Sequence, residues 1–328
     1  MSGVNFNHRF KNLFFPFALS LCLFANADDV PNVSPGSPSP ASLQTPKKIV
    51  VFAPHPDDEV ITSAGVIYKA LKDKVETRVV VMTNGDFYGK AEGLRREGES
   101  VVALGLLGLP EKQITFFGYG DSTLFWVYHA MKADEVITSR AGGTETYGTR
   151  GNSHLAYHNS RFGVPAPYTR NSIREDLATY ISEYAPTDIY TTSIYDSHPD
   201  HSALGQFVID AILEVQKTKP DYFPNFHQTL VHIPGDNDWP KPPFTPNLDF
   251  QKPAFIDQTP LKWSDIESIP VPSPMRDPNI FSNLKAQAIL SYHSQVRSVW
   301  LRNFVSPPWL MAFVKANEFF WVSQPGKR

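Results

Sequence analysis

Between residues 47 and 217 the apolar positions switch repeatedly between two periods. Short apolar runs at 49–53, 78–83, 113–117 and 188–192 read as strands, most of them rich in β-branched residues. Between them the apolar residues recur at helical spacing: Val60, Ala64, Ile67 and Leu71 within 59–72, a second helix over 92–107, then Leu177, Ile181 and Tyr184, and finally Leu204, Val208, Ala211 and Val215 within 202–217. Ser172-Ile173-Arg174-Glu175 is a capping-box pattern and is expected to open the third of these helices. Alternating strands and helices predict an α/β fold, a Rossmann-like and mostly parallel sheet with helices on both faces.

Two stretches break this rhythm. Residues 120–170 carry Gly, Tyr, Asn and His without a period, long for a structureless connection and so a lid or hidden elements. Residues 219–280 hold a strand candidate at 228–233 and then a proline-rich course through Trp239, Pro242, Pro243 and Pro246. Proline donates no N–H, so this course is expected to wrap the surface rather than form a helix or central strand. Residues 280–322 return to helical spacing and end in Trp309, Phe313, Phe319, Phe320 and Trp321, expected as core packing. The reading is one domain over 47–328, with 220–328 an irregular, proline-rich C-terminal extension packed on it.

The N-terminus has a different character. His8, Arg9 and Lys11 precede an apolar stretch at 13–24, and Ala25-Asn26-Ala27 has the small-x-small form of a cleavage site. This is the pattern of a secretory signal peptide over 1–27; the apolar stretch is well short of the roughly 20 residues a spanning helix needs. Residues 28–46 are Pro- and Ser-rich, a linker. The expectation is an exported protein, periplasmic or secreted, with no integral membrane segment in the mature chain. The single cysteine, Cys22, lies within the leader, which leaves the mature chain no disulfide, thiol nucleophile or cysteine metal ligand. A net charge of −3 gives no reason to expect nucleic acid as a partner.

The first strand runs into Pro54-His55-Pro56-Asp57-Asp58-Glu59, and the strand at 188–192 is followed by Asp196-Ser197-His198-Pro199-Asp200-His201. If these strands are parallel neighbours, the two loops meet at one carboxyl edge. Together they offer two His and a carboxylate for a hydrolytic metal such as zinc, a second carboxylate as general base, and a further His for the oxygen that becomes negative. Spacing alone does not assign which Asp or which His holds the metal. Either motif by itself also reads as a helix cap or a polar turn.

The two motifs, whole and in order, resemble the PIG-L/LmbE-like metal-dependent N-deacetylases, whose signatures are (A/P)-H-P-D-D-E and H-P-D-H. Thr83-Asn84-Gly85, Arg96-x-x-Glu99 and Tyr292-His293-Ser294-Gln295 also look like that family. The resemblance implies one divalent metal per chain, usually Zn2+ although Fe2+ has the same ligand types, held by His55, Asp58 and His201. It implies Asp57 as general base and His198 as the group that polarises the amide carbonyl. Arg96 and Asp121 stand where relatives hold a sugar-bearing substrate. Mycothiol-type relatives carry a Tyr where this chain has Asp196. The implied reaction removes the N-acetyl group of an N-acetylglucosamine-type sugar. A metal amidase or esterase on a non-sugar substrate, and a glycan-binding protein without turnover, are the alternatives. The remaining histidines are split: His129, His154 and His158 in the irregular segment are candidates for substrate contact, and His227 and His232 are expected to be structural.

Overall fold

The computed structural model describes residues 46–148, 155–235, 239–241, 243–296 and 309–327. The expected leader, nearly all of the linker, and His154 lie outside the described residues. Seven strands form one sheet: β1 (Lys48–Ala53), β2 (Glu76–Thr83), β3 (Ile114–Tyr119), β4 (Asp188–Thr192), β5 (Asn225–Thr229), β6 (Ile266–Pro270) and β7 (Asn317–Ser323), in the spatial order β3-β2-β1-β4-β5-β7-β6. β1 to β5 are parallel throughout, whereas β7 runs antiparallel between β5 and β6. The strand order reverses between β1 and β4, which pair from Ile49 opposite Asp188. In open α/β sheets ligands bind at such a switch point, outside the carboxyl ends of the strands.

The helices are α1 (Asp58–Lys72), α2 (Lys90–Leu106), α3 (Leu124–Tyr128), α4 (Tyr157–Phe162), α5 (Arg170–Tyr184), α6 (Pro199–Gln216) and α7 (Leu284–Leu290). Two buried clusters share the sheet. Val50, Phe52, Val80 and Met82 point to the side covered by α5 and α6, and Ile49, Val51, Val79 and Val81 to the side covered by α1, α2 and the C-terminal part. That is period-two alternation with both faces buried, which is why the strands read as unbroken apolar runs.

Several boundaries differ from expectation. The cap of α5 is Thr169, whose Oγ1 accepts from the Ser172 N–H at 3.1 Å. Thr169 lies in extended backbone, so the helix begins one turn before the anticipated Ser172. β5 falls at Asn225–Thr229, earlier than the 228–233 candidate. The irregular stretch 120–170 contains α3, α4 and an isolated bridge of Glu145 to Pro167.

The C-terminal extension departs most from expectation. Its proline-rich course, of which Pro242 lies outside the described residues, runs with Pro243, Asn247, Leu248 and Asp249 exposed, but it is anchored by Trp239, Phe250 and Ile256, which are buried in the core. Of its aromatic end, Trp309 and Phe313 stand in a short 3-10 helix, whereas Phe319, Phe320 and Trp321 are not helical but lie in strand β7, inside the sheet. Residues Asn317 to Trp321 are buried on both faces, so the strand alternation that would have separated it from a helix is lost. The extension therefore supplies three strands of the sheet, β5, β6 and β7.

Candidate metal centre and active-site cavity

The sheet ends at Pro54, and the chain turns through His55, Pro56 and Asp57 into α1. Asp57 takes φ 119°, a region costly for any residue with a Cβ. Its backbone N–H donates to Glu59 Oε2 at 2.9 Å, and the Arg96 guanidinium donates to the Pro56 carbonyl at 2.8 Å and to Asp57 Oδ2 at 3.1 Å. Glu59 is fully buried and accepts the Tyr292 hydroxyl at 2.5 Å. Arg96 also reaches the Gly85 carbonyl at 3.2 Å. Gly85 has φ +63°, and a Cβ there would stand 2.6 Å from the guanidinium, so only glycine lets Arg96 pass beneath the loop. The strained turn is held from three sides.

β4 ends beside it. Asp196, His198, Pro199 and His201 lead into α6, with His198 at the cap and Pro199 in the first turn. The Asp196 carboxylate accepts the N–H of His198 at 2.9 Å through Oδ1, and those of Val231 and His232 at 2.7 and 3.0 Å through Oδ2. It thus ties the β4 loop to the β5 loop.

Three donor atoms converge at the switch point. His55 Nδ1 lies 3.1 Å from Asp58 Oδ2, His201 Nε2 lies 3.2 Å from the same oxygen, and the two ring nitrogens are 3.2 Å apart. Ligands about 2.1 Å from a tetrahedral ion stand roughly 3.4 Å from each other. The triangle has close to that edge, and all three residues are buried. His198 also brings a ring nitrogen within 4.8 Å of those of His55 and His201, but a looser grouping than the triangle with Asp58.

The outward nitrogens of both imidazoles face acids. His55 Nε2 is 3.2 Å from Asp200 Oδ2, which also accepts the Ser122 N–H at 2.7 Å. Asp121 Oδ1 lies 3.7 Å from the same nitrogen. His201 Nδ1 lies 3.6 Å from Asp196 Oδ2, beyond a direct hydrogen bond but close enough to orient the ring electrostatically. Carboxylates behind metal-binding histidines fix tautomer and ring direction.

The electrostatics favour a positive centre. Burial opposes charging of His201, yet Asp58 and Asp196 raise it to about 9. His55 is likewise pushed well up, against burial, by Asp121, Asp200 and Asp58. Asp58 is held well below the usual carboxylate range, against burial, by His201 and His55. Asp57 goes the other way: burial drives it to about 7, opposed by Arg96 and reinforced by Asp58 and Glu59. His198 is forced well down by burial and by its histidine neighbours, so it stays neutral. A divalent cation meets the demand of this acid-rich cluster, and the donor set of two imidazoles and a carboxylate suits one.

These groups line a cavity of about 360 Å3 that also takes in Arg96, Asp121 and His232. All seven anticipated site residues, His55, Asp57, Asp58, Arg96, Asp121, His198 and His201, border it. A larger cavity of about 600 Å3 opens at the starts of β1 and β2, beside Lys48, Glu76 and Arg78, away from the cluster. Asp200 is among the acids of the second motif but carries no expected role, His232 is expected to be structural yet borders the cavity, and Asp196 is expected only as a departure from the Tyr of some relatives. Asp200 sits inside a recognised motif, whereas His232 gains its place only through the β4–β5 pairing. His129 packs on Phe125 and His158 pairs with Asp176 at 2.6 Å; neither borders this cavity. His227 is clamped between Asp188 and Glu267 at 3.1 and 2.9 Å, a structural place.

The family described as PIG-L, GlcNAc-PI de-N-acetylase, matches residues 50–212. The chain belongs to the PIG-L family. No curated protein matches it by sequence. Among solved structures it is similar to the N,N'-diacetylchitobiose deacetylase of Pyrococcus horikoshii, with 19% identity over 87% of this chain and 88% of that one, TM-score 0.44. It is similar to the A40926 pseudoaglycone deacetylase Dbv21, with 18% identity over 87% and 100%, TM-score 0.46. It is also similar to the 4-carboxy-2-hydroxymuconate hydratase GalB of Pseudomonas putida KT2440, with 14% identity over 86% and 97%, TM-score 0.44. Within this PIG-L chain the family match spans β1 to α6 and stops before the C-terminal strands.

Proposed function

We propose that this PIG-L chain is an exported, metal-dependent hydrolase that removes the N-acetyl group of an N-acetylglucosamine-type sugar or glycoconjugate. The observation that carries the reading is the buried triangle of His55, Asp58 and His201, with a separate acid and a separate neutral imidazole on the same cavity. The family match supports the reaction class, and the leader-like N-terminus supports export.

His55, Asp58 and His201 would hold the ion, one per chain, with Zn2+ the first candidate and Fe2+ the second. Such an ion supplies Lewis acidity, polarising a carbonyl and lowering the pKa of water to about 7. Asp57 takes the proton of the attacking water. Its carboxyl, raised by burial to about 7 and steered by Arg96, is matched to proton transfer near neutral pH. His198, kept neutral, offers a ring N–H to the amide oxygen as charge gathers there. Asp57 then returns the proton to the departing amine, giving acetate and a free amino sugar. Arg96 and Asp121 border the cavity where sugar hydroxyls would lie.

The test is acetate release from a panel of N-acetylated sugars and simple acyl amides, with and without added Zn2+, alongside metal analysis of variants. Asp57→Ala keeps its metal and loses nearly all turnover, whereas Asp58→Ala and His201→Ala lose the metal. An Asp57→Ala enzyme with wild-type rate ends the mechanism. Faster release from simple amides than from any sugar moves the substrate to the amidase class.

A further inference from the structure

The irregular stretch 120–170 is braced against the loop that follows β2. Within it, Glu145 bridges Pro167 in antiparallel fashion. The Thr146 N–H donates to the Ala166 carbonyl at 2.8 Å, the Tyr168 N–H to the Thr144 carbonyl at 2.8 Å, and the Ala166 N–H to Thr146 Oγ1 at 2.9 Å. Tyr147 follows directly. Lys90, at the start of α2, holds its Nζ 4.4 Å from the centre of the Tyr147 ring. The Tyr147 hydroxyl donates to Asp86 Oδ2 at 3.2 Å. Burial and the Asp86 charge push that hydroxyl well up, so it stays protonated and remains a donor. α2 makes room for it with a glycine: a Cβ on Gly93 would stand 2.5 Å from the Tyr147 hydroxyl oxygen and 2.9 Å from Asp86 Cβ. Glycine inside a helix is otherwise a cost, and here it admits a neighbour. Tyr147, Asp86 and Gly93 all lie outside the lining of the metal cavity.

Asp86 passes the contact on. It is buried, and its other oxygen, Oδ1, accepts the Asp121 N–H at 2.7 Å. The next residue, Ser122, takes φ +61°, uncommon for a residue with a Cβ. Its N–H donates to Asp200 Oδ2 at 2.7 Å and its hydroxyl to Asp121 Oδ1 at 2.9 Å. Such a turn persists only where its surroundings over-determine it, and Asp86 and Asp200 do so from two sides. The result is the placing of the Asp121 carboxylate, with Oδ1 3.7 Å from His55 Nε2 and Oδ2 3.7 Å from Arg96 Nη1. Neither Asp86 nor Tyr147 has a part in the chemistry described above.

We propose that Tyr147 is a positioning residue: through Asp86 it fixes the Asp121–Ser122 turn, and so sets where the Asp121 carboxylate meets the substrate. The inference rests on the deacetylase reading above. Tyr147 touches no reacting atom, and its effect reaches the substrate only by way of Asp121. A Tyr147 that served folding alone would act independently of Asp121, and the two losses would multiply.

The experiment measures kcat and KM for acetate release from the best N-acetylated sugar of the panel. Wild type, Tyr147→Phe, Asp121→Asn and the double variant are compared, with metal content and urea midpoint for each. Tyr147→Phe keeps its metal and raises KM by about tenfold, the scale of one hydrogen bond to a charged group, while kcat falls less. In the Asp121→Asn background the same change moves KM by no more than about twofold, because the group it positions is already altered. Gly93→Ala keeps the tyrosine but pushes its hydroxyl off Asp86, and it raises KM in the same way with the metal still bound. A wild-type KM in Tyr147→Phe overturns the proposal while leaving the deacetylase intact. So does a fully multiplicative loss in the double variant, which makes Tyr147 independent of Asp121. No acetate from any sugar with wild type removes the deacetylase reading and the positioning role with it.

Discussion

Glu318 in β7 and Lys285 in α7 form an ion pair with Nζ–Oε1 at 2.8 Å, and both are essentially fully buried. The same carboxylate accepts the backbone N–H groups of Gly65 and Val66 at 2.8 and 3.0 Å. Those donors are free because α1 breaks at Ser63, with φ −137°, so Glu318 acts as the anionic cap of the helix's second half. Gly65 admits it closely: a Cβ there would lie 3.0 Å from Glu318 Oε2. Glu318→Gln keeps the shape but removes the charge, turns one acceptor into a donor and leaves the Lys285 ammonium buried without its partner. Breaking one side of a buried pair costs about 3–5 kcal/mol. For a domain of this size that is a fall in Tm on the order of 10 °C. Lys285→Met costs a similar amount by stranding the carboxylate. The double variant Glu318→Gln/Lys285→Met has no buried charge and retains one backbone acceptor, so it costs far less than the two singles together. Urea unfolding of the four proteins closes the cycle. Singles below about 1 kcal/mol, or additivity within roughly 0.5 kcal/mol, refute the argument that the charges are mutually dependent.

Three further outcomes follow from the geometry. Tyr292→Phe removes the 2.5 Å bond to buried Glu59, which itself holds the strained Asp57 N–H. A loss of about 2 kcal/mol in urea unfolding, with kcat falling more than KM, is expected, and an unchanged kcat at full stability counts against the coupling. Asp200→Asn weakens the orientation of His55, so metal affinity in a chelator competition falls by roughly 10-fold to 100-fold; wild-type affinity rejects it. Asp188 in β4 is held at about 2, because bonds from His227, Thr187 and Asn225 and the charge of Lys47 outweigh burial. Its stabilisation is complete above its ordinary 3.8 and drains as pH falls toward 2. His227→Leu raises the Asp188 pKa and so loses less stability than wild type between pH 4 and 2, read as the change in urea midpoint. An identical acid limb in the two proteins contradicts the assignment.

The first half of the fold was legible because each level agreed with the next. Buried parallel strands give continuous apolar runs, helices give their 3.6-residue stripe, and the Pro54 and Pro56 breaks mark where β1 must stop. The donor triangle followed, since His55 and Asp58 share a turn and His201 stands in the first turn of α6. What sequence could not show are relations that exist only after strands pair. Asp196 reads as a loop acid until β4 and β5 lie side by side, when it takes the N–H groups of Val231 and His232. β7 was illegible for a related reason: a strand buried on both faces has no polar alternation, and its aromatic run has the length of two helical turns.

The C-terminal part therefore does more than cover the sheet. The matched family segment ends at residue 212, yet residues beyond it support the site. Tyr292 reaches Glu59 behind Asp57, His232 and Trp309 wall the cavity, and Glu318 caps the second half of the helix whose first turn carries Asp58. The segment up to α6 assembles the donors, and the later segment helps fix how Asp57 is held and supplies part of the cavity wall. Changes in the later segment should then alter KM and stability while leaving the metal bound, the opposite of changes at His55, Asp58 or His201. That division leaves the donor triangle to the segment the family model covers, and the support of Asp57 and part of the cavity wall to the segment outside it.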